Sequence, residues 1–178
     1  MSELHAAPRL ETERLILRAW RQSDAEPFFA MMADPEVARF LSSTQAPMDR
    51  PDAWRTLSIN IGHWALLGCG LFAVEEKAGG AFVGRVGAWR PEGRAEMELG
   101  WGLARAHQGK GFATEAARAA GDWMFDALQI PRISSFIHPD NASSQRLAQR
   151  LGMRAEGETL HAGMPHQIWR VDRAAWMR

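Results

Sequence analysis

A chain of 178 residues, 46% apolar and 24% charged, has the balance of a folded globular protein, and its length suits one domain spanning 1–178 that buries roughly 70% of the surface its unfolded form exposes. A formal net charge of zero, with acidic and basic residues interleaved, excludes the electrostatic footprint expected of a nucleic-acid binder or of a protein drawn to an anionic membrane. The single cysteine, Cys69, excludes an internal disulfide and fits a reducing compartment.

The opening MSELHAAPRLETERL lacks the unbroken apolar core of a signal peptide. The longest uncharged stretch, around Ile59 to Val74, is interrupted by Asn60, Gly62, His63, Gly68 and Gly70 and is too polar for a spanning helix. The expected location is the cytoplasm. In chain order, Leu15 to Trp20 is an apolar run that predicts a first strand, and Ser23 and Asp24 are cap candidates for a helix carrying Phe28, Phe29, Met31 and Met32. Asp34 followed by Pro35 repeats the helix-start signal. Arg50 to Leu67 predicts a helix with Trp54, Leu57, Ile61 and Trp64 on one face, ended by Gly68 and Gly70.

The runs LFAVEE, AFVGRVGAW and AEMELGWGL, separated by AGG and RPEGR, predict an antiparallel meander. Gly109 to Leu128 predicts the longest clear helix, with Phe112, Ala116, Ala119, Ala120, Trp123 and Ala127 inward. A short strand over Ile133 to Ile137 and a helix over Asn141 to Leu151 follow, the helix burying Leu147, Ala148 and Leu151 and stopping at Gly152. Strands around Met153 to Glu158 and Ile168 to Asp172 complete a mixed α/β sheet with helices on its faces.

The chemistry concentrates in ELGWGLARAHQGKGFATEAARAA. Gly109 and Gly111 remove side chains where successive N–H groups would approach a ligand, and the N–H groups near Phe112 to Thr114 carry the positive end of a helix dipole. Each such contact with an anion is worth about 0.3 to 2 kcal/mol, so several can hold a pyrophosphate without a metal. A Walker loop is excluded, because Gly109 to Thr114 lacks a lysine and hydroxyl directly after the second glycine of GxxxxG. A dinucleotide fingerprint has the wrong context: GKGFAT ends in Thr114 and follows a meander, while Gly68 to Ala73, GCGLFA, precedes a strand. What stays open on spacing alone is an anion cradle or merely a tight strand-to-helix turn.

The string from Gln108 to Ala113 resembles the Q/R-x-x-G-x-G/A motif of the GCN5-related N-acetyltransferases (GNAT), and the flanks are similar to the RimJ/RimL-type branch that acetylates ribosomal-protein N-termini. The resemblance rests on ETERLILRAW, on ELGWGL with QGKGFATEA, and on NASSQRLAQRLGM, so it covers nearly the whole chain in order. It implies a mostly antiparallel sheet whose fourth and fifth strands splay apart, with acetyl-CoA as cosubstrate. It further implies that Gln108, Gly109, Lys110, Gly111, Phe112, Ala113 and Thr114 cradle the CoA pyrophosphate, that backbone at Trp101, Gly102 and Leu103 pairs with pantetheine, and that Asn141 bonds the pantetheine arm. Asn141 could equally cap a helix.

For an amine attacking a thioester, Glu98 matches the family's glutamate and is the first candidate base, with Glu96 on the same strand face as its rival and a water relay as a third route. An α-amine with a pKa of about 7.8 costs about 1 kcal/mol to deprotonate at pH 7, against about 4.6 kcal/mol for a lysine at about 10.4, so a weakly equipped site favours α-amines. The chain has no tyrosine, the usual acid in relatives, and Ser144 of the N-x-x-S match takes that place. The backbone N–H near Leu99 or Gly100 is a candidate donor to the carbonyl oxygen.

The six histidines, His107, His138, His161 and His166 among them, show no metal-ligand spacing, and no metal is expected. Cys69 reads as a small buried hydrophobe, and Trp54, Trp64, Trp89 and Trp101 as core residues or lining for an acceptor pocket. The expectation is an acetyltransferase, monomer or homodimer, acting on a protein N-terminus or a small-molecule amine, with a non-catalytic acyl-CoA sensor as the alternative. Loops near Gln45 to Trp54 and His161 to Gln167 would choose the acceptor.

Overall fold

The computed structural model describes residues 5–161 and 163–176. Eight strands form one sheet in the order β1-β2-β3-β4-β5-β6-β8-β7. They are β1 Leu10–Glu11, β2 Leu15–Arg18, β3 Leu71–Glu76, β4 Phe82–Trp89, β5 Glu98–Leu103, β6 Arg132–Ile137, β7 Arg154–His161 and β8 Met164–Asp172. The helices are α1 Ala25–Ala33, α2 Pro35–Leu41, α3 Arg50–Leu67, α4 Phe112–Ala127, α5 Ala142–Arg150 and the short α6 Arg173–Trp176. All neighbouring strands are antiparallel except β5 and β6. The mixed, mostly antiparallel α/β sheet expected from the sequence is therefore present. The strand expected as the fourth is β5, because Leu10–Glu11 adds a two-residue edge strand.

One face of the sheet takes α4, whose Phe112, Ala116, Ala117, Ala120 and Met124 pack on Leu15, Leu17, Val86, Leu99 and Leu103. The small alanines let the helix lie close to the strands. Ala127, expected inward, is exposed, and Met124 and Phe125 take its place, because the buried stripe drifts round the helix as it lengthens.

The other face takes α1 to α3, with Phe28, Met32, Leu57, Ala73 and Phe82 in a second core. Asp34 and Asp49 accept the backbone N–H groups of Glu36 and Asp52, and Pro35 and Pro51 open α2 and α3. On α3 the expected inward stripe is half wrong. Leu57 and Trp64 are buried, but Trp54 and Ile61 are exposed, and the stripe is completed by Ala53, Asn60 and His63. Two polar residues face inward there, so apolar periodicity selected the wrong turn of the helix.

The sheet opens between β5 and β6. Their only paired position is Glu98 with Ser134, whereas β6 pairs with β8 along all six of its residues, Arg132 to Ile137. The Ser135 hydroxyl caps the Leu99 carbonyl at 2.7 Å, and the Gln108 side-chain amide caps the Leu103 carbonyl at 3.0 Å. By the two-residue alternation of a strand, the N–H and C=O of Trp101 between them also face the gap.

Candidate active site

The turn from β5 into α4 presents backbone donors. Gly109 and Gly111 have φ of 76° and 82°, the left-handed region in which only glycine rests without strain. No hydrogen bond from the backbone N–H of Gly109, Lys110, Gly111, Phe112, Ala113 or Thr114 is made among the described residues; the first N–H of this helix to find a carbonyl is that of Glu115, on Gly111. The Arg14 guanidinium pins the turn from behind, donating to the Lys110 carbonyl at 3.0 Å and pairing with Glu115 at 2.6 Å. Gln108 has already spent its own N–H on the Arg105 carbonyl, at 3.2 Å.

This turn borders a cavity of about 510 Å³ that continues along Trp101 and Leu103 to Asn141, Ser144 and Leu147. Its charged rim holds Arg105, Arg146 and Arg150 against Glu36, an excess of positive charge that the sequence did not single out because Arg105 is distant in the chain from Arg146 and Arg150, which lie one turn apart on α5. Gln108, Gly109, Gly111, Phe112, Ala113 and Thr114 all line it, whereas Lys110 and Gly102 do not. Gly102 faces α2 instead, where a Cβ would stand 2.4 Å from Leu41.

A second cavity, about 320 Å³, lies on the α3 side of the sheet and is bordered by Glu98, Arg85, Trp89, Asn60, His138 and His166. The two cavities meet at Phe40, Leu41, Trp101, Asn141 and Ser144, which border both. At this junction the Trp101 indole N–H donates to the Ser144 hydroxyl at 3.0 Å. Asn141 caps α5, its Oδ1 accepting from the Ser144 N–H at 3.1 Å and the Ser143 hydroxyl at 2.9 Å, which leaves its amide hydrogens for other partners.

The two glutamates weighed as bases sit in opposite environments. Burial pushes the Glu98 carboxyl up to about 7, against the pull of Arg94 and Arg85. Glu96 is held at about 2 by Arg170, whose guanidinium grips both carboxylate oxygens at 2.9 and 2.6 Å, with the Ser134 hydroxyl as a further donor. Glu96 precedes β5 and borders neither cavity.

Sequence reasoning gave no site role to Arg85 or Asn60 and weighed His138 only as a metal ligand, yet all three border the second cavity, as does His166 from one of the two loops expected to choose the acceptor. Only Arg85, a lone charge inside FVGRVGAW, offered a signal. Of the tryptophans, Trp89 and Trp101 border this cavity, Trp64 is core, and Trp54 does neither, being 61% exposed. Met48, Met164 and His166 come from the two loops expected to choose the acceptor, while Ala162 and the His161 side chain fall outside the described residues. Cys69 is buried, which pushes its thiol up and leaves it unreactive. Among the described residues no cluster of three or more histidine, cysteine, aspartate or glutamate side chains could hold a metal ion, and no helix is long and apolar enough to cross a membrane.

A sequence model of the family described as "Acetyltransferase (GNAT) domain" matches residues 14–154. The chain belongs to the GNAT acetyltransferases. An uncharacterized N-acetyltransferase, p20, of Bacillus licheniformis is 33% identical over 152 residues, which are 83% of each chain. An acetyltransferase of Agrobacterium tumefaciens strain C58 superposes with a TM-score of 0.83 at 28% identity, over 97% of this chain and 99% of that one. Mycobacterium smegmatis RimJ, solved in complex with CoA-disulfide, shares the fold with a TM-score of 0.72 at 22% identity, over 90% of this chain and 82% of that one. As a GNAT N-acetyltransferase the chain is an enzyme.

Proposed function

We propose that this GNAT enzyme transfers an acetyl group from acetyl-CoA to a primary amine seated beside Glu98, either an N-terminal α-amine or a small molecule. The observation that carries the reading is the meeting of two cavities at Trp101 and Ser144, one headed by unpaired N–H groups and the other bordered by Glu98. The residues present fit CoA: six successive N–H groups from Gly109 to Thr114 have no partner among the described residues, and Arg105, Arg146 and Arg150 border the same cavity as the turn. That RimJ was solved with CoA-disulfide on the same fold supports the assignment.

In this reading Trp101, Gly102 and Leu103 provide the strand edge, Gln108 and Lys110 shape the turn, and Gly109, Gly111, Phe112, Ala113 and Thr114 supply amides to the diphosphate, with the Asn141 amide on the pantetheine arm. Acetyl-CoA supplies the activated thioester. Glu98 takes the proton from the ammonium group, directly or through one water; a carboxylate at about 7 is far better matched to an α-amine of about 7.8 than one at about 4.3. Glu96 is the poorer base, since Arg170 stabilises its charged form. Ser144 accepts from Trp101 and so keeps its own O–H to donate to the departing sulfur. Holding amine and thioester together contributes the larger share, roughly 7 to 11 kcal/mol when geometry is good.

Thiol release from acetyl-CoA across a panel of amines, with the acetylated product confirmed by mass, tests the reading. Binding of acetyl-CoA with no amine-dependent thiol release would overturn it.

A further inference from the structure

The acceptor cavity contains two polar groups that the acetyl-transfer chemistry does not use. Arg85 stands on β4 opposite Gly102, and Glu98 stands on β5 opposite Trp89, with Gly87 paired to Gly100 between them. Strand alternation puts Arg85, Gly87, Trp89, Glu98, Gly100 and Gly102 on one face, so the floor between the arginine and the glutamate is bare backbone. The Arg85 Nε is buried and has no hydrogen-bond partner among the described residues, although the guanidinium and the Glu98 carboxyl attract each other through space. From α3, Asn60 is 1% exposed, and its Nδ2 is likewise buried with no hydrogen-bond partner among the described residues. Both residues border the cavity.

A buried donor left unpaired is destabilising, and more so for a charged group. Two of them at one cavity are a standing demand for an acceptor oxygen. Guanidinium and amide N–H groups can only donate, so the complementary group is an acceptor oxygen, and the positive charge of the guanidinium favours an anionic one. The cavity of about 320 Å³ lies at the low end of the roughly 300 to 1,000 Å³ used for small ligands, so the oxyanion and the amine belong to one compact group.

We propose that the acceptor is an amine that also carries a carboxylate, with Arg85 and Asn60 receiving the carboxylate while the amine faces Glu98. This rests on the acetyl-transfer reading and adds the charge class of its substrate. The carboxylate comes either from a free amino acid or from an acidic side chain next to a peptide N-terminus. A polyamine is disfavoured, because Arg85 places a fixed positive charge where a second ammonium would lie. Burial lowers the Arg85 guanidinium only to about 10, so it stays charged at neutral pH.

The test uses matched acceptors on the full-length chain with acetyl-CoA: free amino acids against their α-carboxamides, short peptides with Asp or Glu at the first or second residue against their Asn or Gln counterparts, and spermidine. One carboxylate arm is expected to exceed its amide partner in kcat/KM by roughly 10- to 100-fold, the range that charge-assisted hydrogen bonds give. Arg85→Met should bring that ratio close to one, chiefly through KM, with Arg85→Lys and Asn60→Leu intermediate. If Arg85 instead only tuned Glu98, both members of each pair would fall together and the pH profile would move. Equal use of carboxylate and amide by the wild type, preference for spermidine, or an unchanged ratio in Arg85→Met would overturn the proposal while leaving acetyl transfer intact. Absence of thiol release in every arm would sink acetyl transfer itself, and this proposal with it. The wild-type comparison needs no variant to fold.

Discussion

The Trp101 indole N–H donates to the Ser144 hydroxyl oxygen at 3.0 Å, tying β5 to the first turn of α5 across the gap in the sheet. Indole can only donate, so the Ser144 oxygen is the acceptor and its hydroxyl hydrogen stays available for a partner other than Trp101, at a residue that borders both cavities. A helix-start serine thereby keeps its donor free.

Ser144→Ala should lower kcat by roughly 10- to 100-fold, since a hydrogen bond to a charged sulfur is worth about 1.5 to 3 kcal/mol, and should leave CoA affinity nearly unchanged. Trp101→Phe, which keeps the ring and removes the N–H, should cost only a few-fold, on the order of one neutral hydrogen bond. Steady-state kinetics beside calorimetric CoA binding reads both. Equal kcat in wild type and Ser144→Ala would show that the sulfur leaves without this donor.

Glu98 links activity and stability to pH with opposite signs. Its carboxyl is raised to about 7, so kcat/KM should climb as pH rises through about 7, and Glu98→Gln should lose that limb together with roughly 100-fold or more of the rate. The folded value lies above the unfolded one, so the folded state binds the extra proton. The associated stability is fully present below about 4.5 and lost as pH rises through about 7. Glu98→Gln should therefore raise Tm at pH 8 and leave it unchanged at pH 4, a pairing that thermal denaturation at the two pH values checks.

Glu96 runs the other way. Held at about 2 by Arg170, it contributes stability above about 4.5 that drains away as pH falls towards 2. The Glu96 side chain is 36% exposed, so after solvent screening the pair is worth on the order of 1 kcal/mol. Glu96→Gln should lower stability by about that much at pH 7 and by nothing at pH 2, with the pH–rate profile unmoved. A lost basic limb in Glu96→Gln would make Glu96 the base after all.

Gly111 has φ of 82°, and a Cβ there would stand 3.4 Å from the Arg14 guanidinium. Gly111→Trp should add about 1 to 3 kcal/mol of backbone strain and cover the amide cradle, weakening CoA binding by more than about 100-fold. Arg14→Ala should weaken it less, through loss of the support behind the Lys110 carbonyl. Isothermal titration with CoA distinguishes the two, and a Gly111→Trp protein that binds CoA normally would place the diphosphate elsewhere.

The sequence by itself determined what depends on short-range order. Short apolar runs between turns marked β3 to β5, Asp34 with Pro35 marked the start of α2, and Gly68 marked the end of α3. Gly109 and Gly111 announced a left-handed turn before α4, because no other residue adopts that backbone cheaply. These are properties of a residue and its immediate neighbours.

Only the tertiary structure separates the environments of Glu96 and Glu98, because each is made by residues far away in the chain: Arg170 on β8 for one, and for the other a cavity wall that includes α3. The same holds for the inward face of α3, where Asn60 and His63 are buried although an apolar pattern pointed to Trp54 and Ile61. A buried polar side chain leaves no trace in hydrophobic periodicity, since burial is set by what packs against it. Arg85 and Asn60 lie on separate elements, and only the folded sheet brings them to one cavity.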